Sequence, residues 1–285
     1  MKINFRSLHP VFAAEVSDLD LTEQEDGTLL EQIRTGMDEY AVLVFRKQRL
    51  DDSALLEFAR KLGGELHSKT GIAAIAKSRF GMEALTDVSN VAADGSILPE
   101  ESRKRQYGLA NRLWHTDASF ENPPGRFSLL IARVLPSDGP DTQFVDTRAA
   151  YDTLNDDMQC MLESLTAHHS IAYSRQRLGF VFSEGEQKKL EGAEQPLVRI
   201  NPRNKRKSLY IAAHCSHIIG WSVPDGRILL QELIEHATKS ESIYSHRWEE
   251  GDLVIYDNSC TMHRAMPFGD TLTRRELRRV TTLDR

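Results

Sequence analysis

The sequence predicts a mainly β fold with flanking helices, a sandwich or a jelly roll. Three observations carry that expectation. From Arg126 onward short apolar runs recur, RFSLLIARVL, TQFVD, LVRI, SLYIAA and DLVIYD, several of them bounded by Pro, Gly, Asn or Asp. Helical periodicity interrupts them only at 148–165 and 224–239. The 285 residues, 40 % apolar and 27 % charged, contain no internal repeat and no low-complexity linker, so one domain over 1–285 is preferred to two. Many short strands set off by turns are what sheets packed face to face require.

The first third is more helical. TLLEQIRTGMDEY at 28–40 places Leu29, Leu30, Ile33 and Met37 at helical spacing, and AVLVF at 41–45 then runs apolar without that period, so a helix feeds a buried strand. A second helix is expected at 51–62, where Ala54, Leu55, Phe58, Ala59 and Leu62 keep the i, i+3, i+4 rhythm until Gly63-Gly64 stops it. Between 66 and 110 small and polar residues surround one strand-like run, LTDVSNV. So long an irregular stretch inside a compact domain is characteristic of a binding loop, and an active-site lid is expected within 66–110.

A formal net charge of −6 and a pI near 6.0 argue against a whole-surface attraction to nucleic acid or anionic lipid, while leaving room for a local cationic pocket. Cys160, Cys215 and Cys260 form neither a CxxC pair nor an even framework, so a disulfide scaffold and a zinc knuckle are not suggested and a reducing, cytoplasmic setting is expected. The opening MKINFRSLHPVF has no apolar core of signal-peptide length, and no run approaches the roughly 20 apolar residues that span a bilayer. Homo-oligomerisation stays open.

The most informative tetrapeptide is WHTD at 114–117. On an extended segment His115 and Asp117 point the same way, about 6.6 Å apart by backbone advance, which suits two ligands of one metal ion. On a helix the pair would diverge by about 200°. An HxD pair alone is common, and its ordinary role is a surface hydrogen bond. A second histidine would complete a 2-His-1-carboxylate set, which leaves open positions on iron. The candidates are His263, His214 and His217, with His168 and His169 behind them. His263 follows the apolar strand DLVIYD and a DNS turn, the kind of strand end that can deliver a ligand to a barrel mouth.

RRELRRVTTL at 274–283 reads as a strand, favoured by Val280, Thr281 and Thr282. Arg275, Leu277 and Arg279 then share one face and Arg274, Glu276 and Arg278 the other. An arginine in a protected cavity is costly unless an anion meets it, so two inward arginines predict two carboxylate-type groups. The plain alternative is a solvated basic edge. Among the remaining candidates, Trp114 reads as core packing, Cys215 and Cys260 as buried thiols, and His168 and His169 as cationic partners at the end of the 148–165 helix or as hydrogen-bonded packing.

WHTD at 114–117, GPDTQF at 139–144, YDNSCTMHRA at 256–265 and RRELRRVTTL at 274–283 together resemble the taurine dioxygenase / 2,4-dichlorophenoxyacetate dioxygenase family of Fe(II)- and 2-oxoglutarate-dependent oxygenases. The likeness runs from LHPVFAAEV near the N-terminus to the last residues and is greatest to the aryloxyacetate branch. It implies a double-stranded β-helix, the cupin-like jelly roll, with iron held by His115, Asp117 and His263 and no catalytic residue beyond these ligands. It further implies that Thr142 and Arg275 hold the distal carboxylate of 2-oxoglutarate, that Arg279 meets the acid group of the substrate, and that Asn111 and His214 line the substrate pocket. Pro140 departs from the usual GGDT pattern and removes a backbone donor beside Thr142. The stretch 67–83 matches neither the taurine nor the phenoxyacetate enzymes well.

The implied activity is hydroxylation of a small anionic organic acid, aryloxyacetate-like or a related carboxylate, with O2 and 2-oxoglutarate as cosubstrates and succinate and CO2 as products. Taurine or another alkylsulfonate is the alternative substrate, with His67 as a candidate donor to a sulfonate oxygen. A non-catalytic jelly-roll binding protein is the alternative of another class, and its mark would be loss of one of the three ligands.

Overall fold

The computed structural model describes residues 2–17, 19–22, 27–68 and 79–285. A seven-stranded sheet forms the larger layer. Its strands are β1 (Phe5–Ser7), β2 (Ala14–Val16), β3 (Val42–Phe45), β4 (Thr86–Ser89), β5 (Gly125–Val134), β13 (Leu253–Asp257) and β15 (Glu276–Leu283), in the order β1-β2-β3-β13-β5-β15-β4. All pairings in it are antiparallel except β2 with β3. Facing it are a sheet of β6 (Thr142–Asp146), β12 (Tyr244–His246) and β14 (Thr261–Ala265) and another of β7 (Thr166–His169), β8 (Ala193–Pro196) and β11 (Cys215–Ile218). β9 (Val198–Ile200) and β10 (Lys207–Leu209) form a separate hairpin. Two antiparallel layers around a shared interior make a jelly roll with flanking helices, the double-stranded β-helix expected above.

The large sheet is buried on both faces, which explains why AVLVF and DLVIYD read as continuous apolar runs rather than alternating ones. Leu43, Phe45, Leu129, Ile131, Ile255 and Val280 turn outward against helices Gly27–Tyr40 and Asp52–Gly63. Val42, Val44, Leu130, Val254, Tyr256 and Leu277 turn inward against Phe144 of β6 and Tyr244 of β12. Each fully buried aliphatic side chain of this kind contributes about 1.5–3 kcal/mol. Helix Asp52–Gly63 starts where the Asp51 carboxylate accepts from the Ala54 amide at 2.8 Å and stops at Gly64, whose φ of 80° suits a residue without Cβ.

Several sequence expectations change in detail. The single helix expected over 148–165 is two, Thr147–Asp152 and Asp156–Glu163, because the Asp146 and Asn155 side chains cap separate starts. His168 and His169 lie on β7, paired with β11 and β8, not at a helix C-terminus. Only Ser208 and Leu209 of SLYIAA join a ladder, in β10, although Tyr210, Ile211 and Ala212 are fully buried. The stretch 66–110 is more ordered than its composition suggests: it holds β4, helix Arg103–Gly108 and the start of the 3-10 turn Leu109–Arg112, while 69–78 lies outside the described residues.

Candidate metal centre and its cavity

The WHTD segment is extended for only one residue pair. His115 exchanges both backbone hydrogen bonds with His263 on β14, at 3.0 and 2.8 Å, and beyond Thr116 the chain turns. That single bridge sets the two imidazoles side by side, ring centroids 4.1 Å apart. Asp117 is brought up beside them, and one donor atom from each of the three residues lies within 4.8 Å of the others, all three being buried. The His115 Nδ1–H donates to the Leu113 carbonyl at 2.8 Å, which leaves Nε2 as the lone-pair nitrogen. His263 Nδ1 is buried with no hydrogen-bond partner.

Protonation states favour a cation here. Burial pushes the His115 imidazole down to about 4, and burial with the neighbouring His115 ring holds His263 well below its usual value. For Asp117 burial alone would raise the carboxyl, but Arg279 and the two imidazoles outweigh it and keep the group well below the usual carboxylate range. Two neutral imidazoles and one carboxylate form a donor set for a divalent transition metal.

The carboxylate is oriented by residues that sequence analysis did not assign to the site. Tyr256 on β13 and Ser128 on β5, directly paired across the strands, donate to Asp117 Oδ2 at 2.7 and 2.8 Å. Asn258, fully buried in the DNS turn, accepts from the Asp117 amide at 2.9 Å and donates to Ser128 Oγ at 2.9 Å. Its carbonyl accepts from the Thr116 hydroxyl at 2.7 Å. The spacing of Asn258 from His263 was visible in the sequence, but its partners are reached only through the fold.

A cavity of about 290 Å³ opens on this centre. His115, Asn111, Thr142, His263, Arg275 and Arg279 all line it. Thr142 begins β6 and its hydroxyl accepts from the Trp248 indole at 2.9 Å, so its own proton is free to point into the cavity. Arg275 is 6 % exposed, its Nε has no partner, and no carboxylate among the described residues pairs with it; burial draws its pKa down to about 10. Arg279 shares that face but donates through Nη1 to Asp117 Oδ1, so its charge is already engaged by the centre. His214, expected in the pocket lining, is not among the lining residues. It packs behind, edge-on to His115 at 6.0 Å between centroids, with Nδ1 3.0 Å from Ser174 Oγ.

The other histidines weighed as ligands, His168, His169 and His217, stand apart, while His67 lines the cavity. His168 and His217 stack at 5.2 Å and share Ser216, and His169 Nε2 sits 3.2 Å from Cys215 Sγ. Burial raises the Cys215 thiol to about 12 and Cys260 well above its usual value, as expected for buried thiols. Trp114 is core, covered by the Arg264 guanidinium at 4.6 Å. Arg175, on the short helix Ile171–Gln176, also lines the cavity and had no sequence signal.

Comparison with known proteins agrees with this geometry. Residues 4–281 match the family described as taurine catabolism dioxygenase TauD, TfdA family. The chain is 45 % identical to the alpha-ketoglutarate-dependent 2,4-dichlorophenoxyacetate dioxygenase of Cupriavidus pinatubonensis, covering 100 % of this chain and 99 % of that protein. Identity to the Burkholderia sp. enzyme of the same name is 42 %, over 100 % and 96 % of the two chains. A crystal structure of AAD-2 in complex with Mn(II) and N-oxalylglycine superposes with a TM-score of 0.95 at 39 % identity, covering 100 % of this chain and 99 % of the other. The chain therefore belongs to the TauD/TfdA family of dioxygenases.

Proposed function

We propose that this protein is an Fe(II)- and 2-oxoglutarate-dependent dioxygenase that hydroxylates a small carboxylic acid of the aryloxyacetate type. The observation that carries the reading is the buried His115, Asp117 and His263 set opening on a cavity that also holds Thr142 and the unpaired Arg275. The residues fit a divalent iron: the donors are neutral or anionic where a dication needs them, His263 Nε2 lies 3.9 Å from the oriented Asp117 carboxylate, and the cation that pairs with that carboxylate is Arg279. Iron bound there supplies dioxygen activation coupled to decarboxylation of 2-oxoglutarate to succinate and CO2.

Each residue then has a defined task. His115, Asp117 and His263 hold the metal. Tyr256, Ser128 and Asn258 keep the Asp117 carboxylate in one orientation. Arg275 grips the distal carboxylate of 2-oxoglutarate through its planar fork, and Thr142, positioned by Trp248, donates the second contact. Apolar and aromatic walls from Leu98, Tyr107, Leu109 and Phe120 exclude water and suit an aryl ring, while Asn111 offers a polar contact at the rim. Arg279, which the resemblance assigns to the acid group of the substrate, donates to Asp117 and lines the cavity beside it. Hydroxylation at the carbon between ether and carboxylate gives a hemiacetal, which collapses to a phenol and glyoxylate.

One domain over 1–285 suits this reading, and Asn90, Leu98 and Tyr107, from the described parts of 66–110, line the cavity. A cytoplasmic setting is supported by three free cysteines, and no helix among the described residues is long and apolar enough to cross a membrane. The alkylsulfonate alternative draws on His67, which lines the cavity with its Nε2 unpartnered. Succinate release with Fe(II), 2-oxoglutarate and a panel of phenoxyacetate, phenylacetate, taurine and an alkylsulfate tests the choice. Stimulation by phenoxyacetate above the others is expected; stimulation by taurine alone would contradict the carboxylate reading.

A further inference from the structure

Five arginines line the cavity, and their partners differ. Arg105 and Arg112 pair with Asp270, Arg279 is engaged by Asp117, and Arg275 is the unpaired cation assigned above to 2-oxoglutarate. The fifth, Arg175, is 6 % exposed. Its guanidinium stacks over the Tyr107 ring at 4.6 Å, and Nη1 donates to Ser174 Oγ at 2.8 Å. Nε is buried without a hydrogen-bond partner, and among the described residues no carboxylate lies within ion-pair distance of it. Desolvation and the nearby Arg279 disfavour its charge and draw its pKa down, and Tyr107 and Asp117 offset only part of that. A buried cation left in this state is held there for an anion that arrives from outside the chain.

The position is close to the metal. Ser174, which accepts from Arg175, is also 3.0 Å from His214 Nδ1, and His214 lies edge-on to the ligand His115. In an aryloxyacetate the carbon to be hydroxylated is bonded directly to the carboxylate, so the acid group must itself sit within a few ångströms of the metal. Arg175 lines the same cavity as His115 and His263, the placement that this demand requires. Tyr107, beneath the guanidinium, is also edge-on to Phe180 and Phe182 at 5.7 and 6.4 Å, which fixes the ring and with it the plane of the donor fork.

We infer that Arg175 is the anchor for the substrate carboxylate, a specificity-determining residue that selects acids over neutral aryl ethers. The inference rests on the oxygenase reading above and deepens it. Two unpaired arginines, Arg275 and Arg175, then match two carboxylates, one from the cosubstrate and one from the substrate. Arg279 serves mainly to hold Asp117.

The test uses the whole protein loaded anaerobically with Fe(II) and 2-oxoglutarate, and measures binding of phenoxyacetate and of its neutral amide by calorimetry. The visible charge-transfer band is read first in every variant. R175Q is expected to weaken phenoxyacetate at least tenfold while changing the amide less than threefold. R175K keeps the charge without the planar fork and is expected to lose at least threefold for the acid. Equal losses for acid and amide, or unchanged acid binding in R175Q, would overturn the assignment with the oxygenase reading intact, as would R279Q alone erasing the preference for the acid. If R175Q fails to fold, an unchanged acid affinity in R175K overturns it. Absence of the band in the unmutated protein overturns the oxygenase reading and this inference together.

Discussion

Strand β15 and the two residues leading into it, Arg274 and Arg275, carry arginines on both faces, and the two faces have opposite charge balance. On the outer face Glu276 accepts from Arg79 at 2.8 Å, from Arg278 at 3.0 Å and from Arg274. Asp87 accepts from Arg79 at 2.9 Å and from Lys104 at 3.1 Å, and the Arg278 guanidinium lies 3.8 Å from the centre of the Phe80 ring. On the inner face Arg275 has no carboxylate partner among the described residues, and Arg279 pairs with Asp117, the carboxylate of the candidate metal centre. One strand, with alternating side chains two residues apart, thus carries a self-sufficient ion network outward and an anion-requiring surface inward. Cations saturated by the chain's own carboxylates serve the fold, and those left unsaturated mark where a ligand belongs.

The largest expected effect falls on the saturated face. Glu276→Gln leaves three arginines without their shared carboxylate and should destabilise the protein by about 3–5 kcal/mol, read from urea unfolding. A change under about 1 kcal/mol would show that the outer network contributes little. Arg275→Met should behave in the opposite way. Without ligand its stability should be equal to or above the parent, because an unpaired buried cation is removed. Affinity for 2-oxoglutarate should fall on the order of a hundredfold, the loss of a charge-assisted bidentate contact worth about 3 kcal/mol. Strong destabilisation with normal 2-oxoglutarate binding would erase the distinction between the faces.

Acid titration sharpens the same contrast. Burial would raise Asp87, but Arg79 and the surrounding donors hold it at about 2 against an ordinary 3.8, and the three arginines likewise overcome burial to depress Glu276. A depressed carboxyl contributes stability that is complete above its unfolded value and is lost as pH falls toward its folded one. Stability from the outer face should therefore hold above about pH 4 and decline from there toward pH 2. In Glu276→Gln the decline should be shallower, and an identical slope would contradict the network. The smallest effect is expected for Trp248→Phe, which removes the indole donor to Thr142 and should weaken 2-oxoglutarate about fivefold, roughly 1 kcal/mol, with stability nearly unchanged.

Much of the fold and of the metal centre was legible because each rests on local pattern. The apolar runs of β5 and β13, the helix over 27–40 and the alternation in RRELRRVTTL are short-range signals, and HxD with a later strand-end histidine is a spacing signal. What was not legible depends on contacts between distant segments. Nothing near Arg175 in SRQR separates it from its surface neighbours Gln176 and Arg177, and only the packing of helix Ile171–Gln176 against Tyr107 brings it inside. His214 reads as a pocket residue in IAAHCSH, yet the fold sets it one layer behind His115. The engagement of Arg279 by Asp117 likewise joins residues 162 positions apart.

The central claim is that His115, Asp117 and His263 hold iron beside a 2-oxoglutarate subsite built on Arg275. Anaerobic titration of the protein with Fe(II) and 2-oxoglutarate tests it most directly. A weak visible metal-to-ligand charge-transfer band is expected in the parent, absent in Asp117→Ala at any 2-oxoglutarate concentration and recovered in Arg275→Met only at much higher 2-oxoglutarate. No band in the parent, or an unchanged band in Asp117→Ala, would contradict the account.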